Sequence, residues 1–129
     1  MTLGDKQRLF THYVGSLIIW LYDNGYEATL GDAYRDPRLA ALNAKPGPNG
    51  EPPKGIANSL HCEKLAIDLN LFKDGIYLTG TESYRPMGEF WESLHPLARW
   101  GGRFTKMVNG EIKPWPDSGH FSFEHERRK

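Results

Sequence analysis

The chain has 129 residues, 16 basic and 16 acidic, and a formal net charge of zero. Apolar residues make up 39% and aromatics 12%, a composition that excludes a disordered chain and fits one folded domain spanning residues 1–129. Charge neutrality argues against a nucleic-acid binder driven by counterion release, and against bulk attraction to anionic membranes or wall polymers. The single cysteine, Cys62, rules out an intrachain disulfide and a four-cysteine zinc site, and fits a reducing compartment. The most apolar N-terminal stretch, Val14 to Tyr22, is too short to span a bilayer and has neither a basic leader nor a cleavage site. The expectation is a protein made in the cytosol, without signal peptide or membrane insertion.

Residues 5–23 predict an amphipathic helix, because Leu9, Phe10, Tyr13, Val14, Leu17, Ile18 and Leu21 recur at helical spacing. Asp23-Asn24-Gly25 ends it, Tyr26 to Leu30 reads as a short strand, and Arg38 to Leu42 as a helical turn after Pro37. Residues 45–55, KPGPNGEPPKG, form a Pro/Gly-rich loop. Residues 65–72 alternate, with Leu65, Ile67, Leu69 and Leu71 on one face and Ala66, Asp68, Asn70 and Phe72 on the other. A turn at Lys73-Asp74-Gly75 returns the chain into a second strand at Ile76 to Leu78. Residues 86–99 predict a helix that Pro96 ends or kinks, followed by a turn at Gly101-Gly102. His120 to Phe123 alternates as a last strand with Phe121 and Phe123 inward, and Glu124 to Lys129 reads as a solvated charged tail. The class these elements predict is α+β: a small antiparallel sheet flanked by helices.

His61, Asp68 and His120 form a candidate metal group on that sheet. Seven residues of strand would separate His61 and Asp68 by about 23 Å, and seven of helix by about 10 Å, so they share an ion only if the chain turns between them. A turn at Cys62-Glu63-Lys64 brings this about, and leaves Asp68 on the face opposite the leucines. His120, on the polar face of the last strand, completes two histidines and one carboxylate. Three protein ligands leave a fourth tetrahedral position for water, the pattern of catalytic rather than structural zinc. Asp117, held in a turn between Pro116 and Gly119, is placed to act as general base on that water.

These residues resemble the zinc peptidases of the D-Ala-D-Ala carboxypeptidase and hedgehog-like superfamily, and within it the phage endolysins that are L-alanyl-D-glutamate peptidases. The pattern is Ser-x-His, six residues, Asp, then an acid-x-x-His, met here by Ser59, His61, Asp68, Asp117 and His120. Ala66-Ile67-Asp68-Leu69, Phe90-Trp91, Trp100-Gly101-Gly102-Arg103-Phe104 and Tyr34-Arg35 match further family segments, so the resemblance covers about residues 5–125. It implies zinc on His61, Asp68 and His120, Asp117 as general base and acid, Arg35 on the scissile carbonyl and its oxyanion, and Ser59 bonding near the site or holding the substrate backbone. One position departs from the family: Lys64 stands where glycine is common, and a positive φ there would strain a lysine.

The expected function is zinc-dependent hydrolysis of the L-alanyl-D-glutamate amide in peptidoglycan stem peptides by a monomer. By the same resemblance, the enzyme accumulates in the host bacterial cytoplasm and reaches the wall through a membrane lesion. The alternatives are a D,D-carboxypeptidase or dipeptidase acting on D-Ala-D-Ala, and a zinc-holding module without turnover. Asp117 speaks against the last, since a binder needs no base.

Overall fold

The apolar periodicity of the N-terminal segment becomes helix α1, Leu3–Asp23, in the computed structural model, which describes residues 1–53, 56 and 58–129. The helix starts earlier than its apolar stripe because Thr2 and Asp5 close a capping box. The Asp5 amide donates to Thr2 Oγ1 at 3.1 Å, and the Thr2 amide to Asp5 Oδ2 at 2.8 Å. Phe10, Leu17 and Leu21 face the core. Strand β1, Glu27–Leu30, and helix α2, Pro37–Asn43, follow as expected, with Asp36 capping α2 through the Arg38 amide. The predicted loop contains one 3₁₀ turn at Pro48–Gly50; its Lys54 and Gly55 lie outside the described residues.

Strand β2, Ala66–Lys73, turns through Asp74 and Gly75 into β3, Ile76–Tyr77. Helix α3 covers Thr81–Leu94, β4 Ala98–Trp100, β5 Thr105–Val108, β6 Glu111–Pro114 and β7 His120–Phe123. The main sheet is antiparallel in the order β1-β2-β7-β4, with β3 also on β2. Strands β5 and β6 form a separate ribbon. The result is an α+β fold with three α-helices and small antiparallel sheets.

One face of the sheet carries the core. Leu65, Leu69, Leu71, Phe121 and Phe123 are almost fully buried beneath α1 and α3, whose Tyr84, Met87, Gly88 and Trp91 form the inward stripe. Trp91 anchors this face, edge-on to Phe10 at 5.6 Å and with its Nε1 donating to the Arg99 carbonyl at 3.0 Å. Burying each such side chain contributes roughly 1.5–3 kcal/mol, and a register slip by one residue would turn all of them outward. The apolar face therefore fixes the register that places the polar face.

The predicted helix over 86–99 is corrected at both ends. Its start lies at Thr81, after an N-cap glycine, Gly80, that offers no side-chain hydrogen bond, and Pro86 sits inside it. Its end lies at Leu94, because Pro96 cannot continue a helix, and Ala98 to Trp100 instead pair with β7. The tail is not simply solvated. Glu126 and Arg127, both at positive φ, close a turn that bridges His125 to Arg128. Arg128 is tied to the Asn58 carbonyl and to the carboxylates of Glu63 and Glu126.

Lys64 ends the 3₁₀ turn Leu60–Glu63 in the left-handed region, at φ 58° and ψ 35°. A lysine there carries a steric cost that glycine lacks, offset in part by glycine's larger entropy loss on folding. Lys64→Gly is expected to stabilise the fold by about 0.5–1 kcal/mol in urea unfolding. An unchanged or lower midpoint would mean that the contact of Lys64 with the Tyr34 ring, 5.4 Å away, outweighs the strain.

Candidate metal centre

Three separate segments set the positions of the metal group. Ser59, buried, caps the turn Leu60–Glu63 and accepts a hydrogen bond from the His61 amide at 3.2 Å, which aims His61 inward. Gln7 from α1 holds the same turn from outside, its Nε2 donating to the Glu63 carbonyl at 2.8 Å. The left-handed Lys64 then redirects the chain into β2, so a turn does separate His61 from Asp68. Asp68 is fixed through its backbone: its amide donates to the Asp32 carbonyl at 2.7 Å, and its carbonyl accepts from Gly31 at 2.8 Å. The β2–β7 register sets His120 directly opposite Asp68.

The outcome is a convergent group. His61 Nε2 lies 3.3 Å and His120 Nδ1 lies 3.4 Å from the same oxygen, Asp68 Oδ1. Neither contact is a close charge-assisted hydrogen bond, which would be nearer 2.7–2.9 Å. Tetrahedral bonds of roughly 2.0–2.1 Å to one ion place neighbouring ligand atoms about 3.3–3.4 Å apart, the spacing these atoms show. Asp68 Oδ1 is buried and without a hydrogen-bond partner, an arrangement that a cation relieves. The three side chains can therefore hold a metal ion.

Electrostatics prepares the same donor atoms. His61 Nδ1 donates to the Ala33 carbonyl at 3.0 Å, which leaves the lone pair on Nε2, facing Asp68. Desolvation lowers the His61 pKa, but the negative charge of the nearby Asp68 carboxylate, with help from the Ala33 carbonyl, outweighs it and raises the value above the ordinary range. Burial pushes Asp68 up, yet the two histidines overcome this and hold its carboxyl well below the usual carboxylate range. Asp68 is an anion at any physiological pH.

Asp117 stands at the rim, its Oδ2 3.8 Å from His120 Nδ1 and its side chain 62% exposed. Packing of the cleft around it and the charge of Asp68 raise its pKa, opposed by the histidines and Arg35. Its turn is made possible by Gly101, where a Cβ would lie 2.0 Å from the Asp117 carbonyl oxygen and 2.9 Å from His120 Cβ. Arg35 is half-buried beside the group, its amide donating to the His61 carbonyl at 3.1 Å and its guanidinium paired with Asp32 at 2.9 Å.

All the residues singled out from the sequence thus lie in one neighbourhood, with Ser59 behind His61 and its hydroxyl engaged by the His61 amide. The carbonyl of Ala33 escaped the sequence reading, because a main-chain acceptor leaves no mark on residue type. The close approach at Gly101 was open to a sharper reading, since the Gly101-Gly102 pair signalled a turn but not what the missing side chain admits.

The two shifts give opposite pH trends. The raised His61 value contributes stability that is full below its unfolded pKa of about 6.5 and is lost as pH rises through the folded value. Asp68 contributes above about 3.9, a contribution lost only as pH falls through its depressed value. The metal-free protein should therefore melt lower at about pH 8 than at about pH 6, on the His61 contribution alone. Added zinc should raise Tm more at the higher pH, because no proton must leave His61. Thermal melts with and without zinc check this, and an equal zinc-induced rise at both pH values would count against His61 as a ligand.

The chain matches no model of a known protein family and no curated protein, so what the centre does is read from its own side chains.

Proposed function

We propose that the protein is a zinc-dependent peptidase of bacterial peptidoglycan, hydrolysing the L-alanyl-D-glutamate amide of stem peptides in the manner of the phage endolysins it resembles. The observation that carries this reading is the pairing of two imidazole nitrogens, 3.3 and 3.4 Å from one carboxylate oxygen, with a separate, solvent-reachable carboxylate, Asp117, at the rim. Two imidazoles and one carboxylate suit zinc, and a structural site would be closed by a fourth protein ligand. The antiparallel sheet with the group on the face away from the helices fits the hedgehog-like fold that the resemblance implies.

Zinc held by His61, Asp68 and His120 would polarise the scissile carbonyl and acidify the attacking water. The chain's own residues do the rest. Asp117, ionised at neutral pH, accepts the proton from the attacking water and delivers it to the leaving amine nitrogen. Its raised pKa makes it a better base than an ordinary surface carboxylate. Arg35, oriented by Asp32, donates to the carbonyl oxygen as negative charge gathers on it. Ser59 acts through His61 by holding its turn. No helix among the described residues is long and apolar enough to cross a membrane, and we place the enzyme in the host bacterial cytoplasm until another protein opens a path to the wall.

Digestion of purified peptidoglycan, followed by mass analysis of the released ends, tests the bond assignment. New L-alanine carboxyl ends are expected; released D-alanine would make it a D,D-peptidase. Asp117→Asn should lower wall lysis by about 10²–10⁴-fold while the bound zinc stays at one equivalent. Chelation should abolish lysis, and zinc should restore it. Lysis that survives both changes would leave the site without a catalytic role.

A further inference from the structure

A cleft of about 350 Å³ opens beside the metal group, with Asp68 and Asp117 on its wall. The remaining polar lining includes Asn70, Tyr77, Thr79 and Ser118, and among the described residues no lysine, arginine or histidine lines it. Asn70 is held by Thr29 at 3.2 Å, and Ser118 shares a hydrogen bond with Thr81 at 3.0 Å, so these walls are preset. Arg35, placed above on the scissile carbonyl, is outside this lining. The cleft therefore offers amide and hydroxyl groups for hydrogen bonding, and its formal charges are negative only. A divalent ion in the centre would be matched by Asp68 and Asp117, leaving no surplus positive charge.

We propose that this cleft receives the amine side of the scissile amide and selects a neutral, hydrogen-bonding neighbour over a free carboxylate. The side follows from the peptidase reading, on which this inference rests. Asp117 must face the nitrogen it protonates, and Asp117 lines this cleft. A carboxylate next to that nitrogen would enter beside like charge and lose its hydration without gaining a cation. A carboxamide or a continuing peptide bond would meet hydroxyl and amide partners instead. Recognition of a terminal carboxylate normally uses an arginine or lysine. The cleft lacks one, so it is suited to an amidated or otherwise neutral residue on the amine side and not to one that bears a free α-carboxylate.

Two short peptides containing the L-alanyl-D-glutamyl bond test this, identical except that the α-carboxyl group of the glutamyl residue is a carboxamide in one and a carboxylate in the other. Initial rates are measured with zinc-loaded protein. Binding of N-acetyl-D-glutamate and of its α-carboxamide, which lack the alanyl residue, is followed separately through the NMR shifts of the Asn70, Tyr77 and Thr79 amides. The carboxamide forms should be favoured about tenfold in both experiments, the size of a partly solvated like-charge contact. Thr79→Lys, on an exposed residue, should narrow the ratio by rescuing the carboxylate forms. Equal or better handling of the carboxylates, no binding of either fragment, or a ratio indifferent to Thr79→Lys would each overturn the subsite. Selective binding without cleavage of either peptide would leave the subsite standing and remove the peptidase reading.

Discussion

Asp68 imposes the constraint around which this molecule is arranged. One of its carboxylate oxygens is buried, makes no hydrogen bond, and sits between two imidazole nitrogens at 3.3 and 3.4 Å. A buried anion is costly unless charge and geometry compensate it. Everything around Asp68 serves that compensation. The loop at Gly31 and Asp32 takes up both of its main-chain groups, β7 sets His120 opposite it, and the turn through Lys64 brings His61 back over it. Without a cation, protonated His61 is the available partner; with one, three donors are already at ligand spacing.

That arrangement needs a rigid support, which the opposite face of the sheet provides. Trp91 does more than fill the core, because its indole nitrogen also bonds the carbonyls of Arg99 and Ser122, at 3.0 and 3.2 Å, and so pins β4 and β7 from below. Trp100 supports the rim in the same way: its Nε1 donates to the Ser118 carbonyl at 2.8 Å, within the turn that carries Asp117. Packing and chemistry are thus linked through two indoles whose rings lie in the core and whose nitrogens reach strands and a turn belonging to the site.

Much of this was legible where one physical rule acts alone. The alternation in β2 placed the leucines inward and Asp68 outward, and the seven-residue spacing required a turn before it. The reading failed where two signals competed. Pro86 looked like a helix start, yet α3 begins five residues earlier under Gly80, a cap with no side chain to announce it. Ala98 and Arg99 continued an apparent helical stripe, but β7 needed a partner on its free edge, and pairing with β4 prevailed. The β5–β6 ribbon is marked in the sequence only by the turn dipeptide Asn109-Gly110. Both residues take positive φ, as a two-residue hairpin turn requires. Its exposed Met107 and Ile112 lack the core-facing burial that makes other strands conspicuous.

The zero net charge acquires a more local meaning from the ion pairs. Arg8, Arg35, Arg38, Arg85, Arg99, Arg103 and Arg128 each lie within 4 Å of a carboxylate, most of them on a residue close in sequence. Such exposed pairs add little stability individually, but they cancel charge where it arises instead of across the molecule. Charges cancelled at their source add little to the single-sign field that steers charged partners over distances beyond about 10 Å. Two further carboxylates, Asp68 and Asp117, have histidine rather than arginine within 4 Å, and both stand at the metal group. Neutrality of the whole and polarity of the cleft are therefore two consequences of one pattern, in which arginines pair with nearby carboxylates and two aspartates stand with histidines at the metal group.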